Sequence, residues 1–192
     1  PWIQLVGISG SLAMRNADEK ADIDFFIITR VRRIWLSRLL AIGLLELFGI
    51  RRSRDAYLKE SSGKICLNLF ISEEVMHQPD HNLYVAHEVL QMKVLWQREK
   101  VYQRFLEMNQ WVFNFLPNWI GMSAVERKIS QGIKKQWLFF DWLEKIVEIL
   151  QRRYMGRVLG QEKVGHQMAY FHPEDAGEWV MKQYQRRVAF LK

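Results

Sequence analysis

The chain has 192 residues, of which 49% are hydrophobic and 26% charged, which excludes a disordered or fibrous polypeptide and fits one compact domain or two small ones. A single cysteine, Cys66, excludes an internal disulfide framework and suits a reducing compartment, so a cytoplasmic location is expected. The net charge of +7 favours anionic partners.

Residues 2–8 are mostly apolar and read as a first strand. Gly10 and Ser11 follow as a small-residue turn, whose backbone amides and hydroxyl can approach phosphate oxygens without a side chain in the way. Arg15, just beyond, is placed either to reach a phosphate or to stand exposed on a helix. Asp22 and Asp24 lie among Ile23, Phe25, Ile27 and Ile28, which predicts a second strand with both carboxylates on one face. Such a pair repels itself unless a cation sits between, and its oxygens suit a hard divalent ion such as Mg²⁺. Residues 31–48 carry leucines on most faces and stop at Gly49, which predicts a helix. The polar stretch 51–63 closes on the turn signal Ser61-Ser62-Gly63. Residues 64–71, KICLNLFI, then read as a third strand, with Asn68 and Cys66 on one face and Leu67 and Leu69 on the other. In that apolar setting Cys66 reads as an inert packing residue.

Residues 73–82 read as a loop around Pro79, and everything beyond reads as helical. Apolar positions in 83–106 recur at about 3.6 residues, which predicts an amphipathic helix interrupted near 97–100. A shorter helix over 110–116 stops at Pro117. Ser123 and Glu126 form a capping box opening a long helix, whose stripe includes Val125, Ile129, Ile133, Trp137, Phe140, Val147 and Tyr154 and which ends at Gly156 and Gly160. A final helix follows Pro173, with Ala176, Trp179 or Val180, Tyr184, Val188 and Leu191 on one face. The helical spacing of these aromatics predicts burial. His77, Asp80 and His81 surround Pro79 with no further ligand evident, so they read as a solvated loop rather than a metal site. His87-Glu88 begins like a zinc-protease helix, but Gln91 stands where the second histidine belongs, and that reading ends there. Arginine clusters such as Arg30, Arg32 and Arg33, or Arg51, Arg52 and Arg54, and the pair Lys134-Lys135 read as solvated faces, with nucleic-acid binding the less favoured alternative. Residues 34–50 hold Arg38 and Glu46 and fall short of the ~20 apolar residues of a membrane span; 108–125 is too polar for one.

Glycine-serine, then ten residues, then Asp-Ile-Asp in an apolar strand resembles the signature of the nucleotidyltransferase superfamily, of the DNA polymerase beta and small bacterial nucleotidyltransferase type. The resemblance extends over residues 1–72. It implies an α+β fold: a small mixed sheet of the nucleotidyltransferase type, followed by a mostly helical C-terminal half. On this reading 1–72 form the nucleotidyltransferase-like core and 73–192 a helical region packed on it. The resemblance further implies that Gly10 and Ser11 hold a nucleoside triphosphate and that Asp22 and Asp24 bind Mg²⁺ or Mn²⁺. The implied reaction moves a nucleoside monophosphate from the triphosphate to a hydroxyl acceptor. The superfamily usually takes a third carboxylate from a later strand, and the matching residue is Asn68. An amide offers a carbonyl oxygen but no charge, and it is no base. Asn68 therefore reads either as a weakened metal ligand or as a hydrogen-bonded residue at a core edge. The competing expectation is a catalytically degenerate nucleotide-binding or protein-interaction module of the antitoxin kind. A helix commonly precedes the first strand in the superfamily; this chain opens at Pro1 with no leader pattern.

Overall fold

Apolar alternation in the first third of the chain folds into strands. In the computed structural model, which describes residues 1–19, 21–52, 62–119, 138–156, 168–170 and 176–190, these are β1 (Ile3–Ile8), β2 (Ile23–Thr29) and β3 (Ile65–Ser72). The short helix α1 (Gly10–Ala13) separates the first two, and α2 (Ile34–Leu47) crosses between the second and third. Next come α3 (Leu83–Gln91), β4 (Lys93–Gln97), α4 (Val101–Met108) and a 3-10 turn over Gln110–Asn114. The described chain closes with α5 (Leu138–Gly156), β5 (Met168–Tyr170) and α6 (Ala176–Ala189). The sheet runs in the order β4-β1-β2-β3-β5; among these five strands β2 and β3 form the parallel pair, and α2 lies within their crossover.

Period-two alternation gives the central strands two buried faces. Phe26, Ile28, Leu69 and Ile71 meet Val89 and Leu90 of α3 and Phe105 and Leu106 of α4. On the opposite face Ile27, Leu67 and Phe70 meet Trp35, Leu36 and Leu45 of α2 and Val147 and Met155 of α5. Each fully buried side chain of this size stabilises the fold by about 1.5–3 kcal/mol. The second layer is also tied by polar contacts. The buried Glu144 carboxylate of α5 accepts the Trp35 and Leu36 backbone N–H groups at 2.8 and 3.0 Å, filling the role of a cap at the start of α2. Gln151 donates to the Trp35 carbonyl at 2.9 Å, and Arg33 pairs with Asp141 at 2.6 Å.

Four expectations are corrected. Residues 93–97 are a strand, not the continuation of a helix: Met92 turns extended at φ −51°, ψ 128°, and Lys93–Gln97 pair antiparallel with β1. The free edge of β1 outweighs a helical apolar pattern here. Gly7 lets this neighbour approach, since a Cβ there would stand 2.6 Å from the Met92 sulfur. Residues 168–170 likewise join the sheet beside β3, so the chain beyond 73 is not uniformly helical. Leu67 and Leu69 face opposite layers, because the β2–β3 register shifts between Asp24 and Phe26. Finally, Tyr154 of α5 and Trp179 of α6 are more than half exposed, although their helical spacing predicts burial. Arg54, Ser61, the Ser123–Glu126 capping box, Val125, Ile129, Ile133, Lys134-Lys135, Trp137, Gly160, Pro173 and Leu191 lie outside the described residues.

Candidate functional site

The end of β1 is fastened to β2 where the Ser9 N–H donates to the Asp24 carbonyl at 2.9 Å. Gly10, next along, has φ +67°, and a Cβ on it would lie 2.5 Å from Asp24 Oδ2. Only glycine combines that backbone angle with so close an approach. The small-residue turn and the carboxylate strand are thus in direct contact. Ser11 is exposed at the start of α1, and Arg15 is exposed at its end with φ +56°.

Asp22 and Asp24 lie on one side of the sheet, in the row that continues through Phe26 and Ile28. One carboxylate oxygen of each and the Cys66 sulfur all fall within 4.8 Å of one another. Asp24 is buried, whereas Asp22 and Cys66 are half-buried. Arg52 joins them: its Nη1 donates to Asp22 Oδ2 at 2.5 Å. Backbone pairing explains its position, for the Ile65 N–H donates to the Ile50 carbonyl and the Arg52 N–H to the Ile65 carbonyl, each at 2.9 Å. Residues 50–52 thereby lie alongside the start of β3 and bring the guanidinium over Cys66 and Asp22. Burial works against the Arg52 charge, but Asp22 and Cys66 more than offset it and its pKa is raised. Burial, with the charges of Asp24 and Asp22, pushes the Cys66 thiol up to about 12. It is therefore a neutral thiol near pH 7, a poor nucleophile and a poor base.

Cys66 reaches the carboxylates through the irregularity in β3. Asp24 pairs with Cys66 and Phe26 with Leu69, so two steps on β2 match three on β3, and the alternation of faces resets within residues 67–68. Asn68 has its backbone in this bulged stretch; its side chain lies outside what the structure describes. Neither Arg52 nor Cys66 stood out in the sequence as a site residue. Arg52 was hidden in an arginine cluster, and the face Cys66 shares with Asp24 becomes visible only once β2 and β3 are aligned.

The donor set fits a hard divalent cation. One oxygen of each carboxylate lies within 4.8 Å of the other beside a glycine cradle, a hard oxygen pair of the kind such ions take. Other clusters found different uses. Arg33 is buried in its pair with Asp141 and sits 5.9 Å from the Trp2 ring centre, and Arg51 pairs with Glu46. His77 and His81 are not independent loop residues, since their rings meet and pack toward Trp111. Among the described residues no helix is long and apolar enough to cross a membrane. Comparisons with protein-family models, curated proteins and solved structures found no match to this chain.

Proposed function

We propose that the chain is a cytoplasmic, divalent-metal-dependent nucleotidyltransferase that moves a nucleoside monophosphate from a nucleoside triphosphate to a hydroxyl acceptor. The observation that carries this reading is the contact between the Gly10 turn and Asp24, with Asp22 alongside. In this reading Asp22 and Asp24 hold Mg²⁺ or Mn²⁺, which when bound neutralises phosphate charge and polarises the phosphoryl group under attack. The Gly10 and Ser11 amides and the Ser11 hydroxyl hold the outer phosphates, so that the triphosphate is oriented before any bond changes. Neither the neutral Cys66 thiol nor the Asn68 amide is a general base; the chain's contribution is positioning and charge.

Asp24→Asn tests the proposal. Calorimetric titration with each of the four ribonucleoside triphosphates in Mn²⁺ is expected to lose its metal-dependent component in this variant, while the circular dichroism spectrum stays as in wild type. Undiminished metal-dependent affinity would sink the assignment.

The Arg52–Asp22 ion pair favours a second reading. A guanidinium on Asp22 already supplies a positive charge where the metal would bind, as suits a nucleotide-binding or protein-interaction module without transfer chemistry. Asn68→Asp separates the readings: a gain of transfer from a labelled triphosphate marks a degenerate enzyme, and loss of pre-existing transfer marks an amide in use.

A further inference from the structure

The strongest unassigned chemistry lies in the loop between β3 and α3. His77 Nδ1 stands 2.9 Å from the Met108 carbonyl oxygen. A carbonyl oxygen only accepts, so Nδ1 carries a hydrogen, and in that tautomer the lone pair is on Nε2. That Nε2 faces Nε2 of His81 at 3.2 Å. The His81 ring is itself held, stacked on Trp111 with centroids 4.3 Å apart and 18° between planes. Trp111 donates to Asn109 Oδ1 at 3.2 Å, and the buried Asn109 amide donates to the Met76 and Phe105 carbonyls at 2.8 Å each. Both imidazoles therefore stand on a packed base although they are exposed at the surface.

We propose that His77 and His81 form a binding site for a borderline divalent cation, Zn²⁺, Cu²⁺ or Ni²⁺, with water in the remaining coordination positions. Two imidazole nitrogens on one tetrahedral ion at about 2.0–2.1 Å would lie about 3.3–3.4 Å apart, close to the spacing already present. The contact from His77 Nδ1 to a backbone carbonyl is the usual outer support of a metal-bound imidazole, fixing its tautomer and raising its basicity. With His77 Nε2 as acceptor, the contact between the rings has His81 Nε2–H as donor; ion binding moves that hydrogen to Nδ1 of His81 and turns both rings so that their Nε2 lone pairs converge on the ion. Imidazole ligands select these ions over Mg²⁺, so the site is chemically distinct from the Asp22–Asp24 pair.

Calorimetric titration of the full chain with ZnCl₂, alongside long-range ¹H–¹⁵N spectra of the histidine rings, tests this. One equivalent of Zn²⁺ is expected to move the Nε2 resonances of His77 and His81, assigned through His77→Gln and His81→Gln. Each of these variants should bind Zn²⁺ at least about tenfold more weakly, since losing a direct ligand costs no less than losing an outer-sphere partner. Asp24→Asn should retain the binding. Unmoved Nε2 resonances, wild-type affinity in both histidine variants, or loss of Zn²⁺ binding in Asp24→Asn alone would each overturn the proposal.

Discussion

At Gly10 the chain has no room for a side chain, and that intolerance makes a sharp test of the site. Gly10→Ala forces an alanine to φ +67° and drives a methyl to within 2.5 Å of Asp24 Oδ2. The backbone angle alone should cost about 1–2 kcal/mol. The expected result is a lowered thermal midpoint together with lost triphosphate affinity, measured on one preparation by calorimetry. Arg52→Gln works in the opposite direction. It removes the cation from Asp22, and Mn²⁺ binding followed by electron paramagnetic resonance should tighten about tenfold, equivalent to ~1.4 kcal/mol and well within the ~4 kcal/mol that unit charges 4 Å apart exchange near a protein surface. Weaker Mn²⁺ binding would show that the guanidinium supports the site instead of competing for it. The difference between these residues also marks what sequence can disclose. Gly10, Asp22 and Asp24 follow from local rules of turn and alternation, whereas Arg52 depends on a backbone pairing between residues 50–52 and Ile65 that no local rule announces.

Among the described elements, the junction of α2 and α5 is held by several polar contacts between the two helices. Glu144→Ala would strip two N–H groups at the start of α2 of their acceptor, at a cost of about 1–3 kcal/mol, read as a lower urea midpoint with an unchanged slope. Burial raises the Glu144 carboxyl above its ordinary 4.5, outweighing the two backbone hydrogen bonds and Arg33, which pull it down. The folded chain thus holds this proton more tightly than the unfolded one. The group's contribution is greatest below 4.5 and declines as pH rises through the elevated folded value. Wild-type stability relative to Glu144→Gln should therefore fall with rising pH across that window; a rise would contradict the burial argument. Three of the strands and α2 were legible because each repeats its period over six or more residues. Only β4, β5 and the bulge in β3 were masked by competing patterns. Val94 and Trp96 of β4 sit in a run whose apolar spacing also suits a helix, β5 spans three residues and displays no period, and the bulge in β3 is a property of two strands together.

For the molecule as a whole, the two strands that complete the sheet come from outside residues 1–72. β4 covers β1, and β5 covers Leu69–Ile71 of β3. A chain ending at residue 156 lacks β5 and should leave those β3 backbone groups open to another chain. Light scattering on that truncation is expected to show concentration-dependent association absent from the full chain; a monodisperse truncation would mean that β5 does not guard the edge. Timing gives this arrangement a further meaning. β3 leaves the ribosome 96 residues before Met168, and at ~5–20 residues per second the gap lasts roughly 5–20 s. Through that interval the nascent polypeptide keeps the Leu69–Ile71 edge unpaired, a template open to stray strand pairing until Met168–Tyr170 emerge.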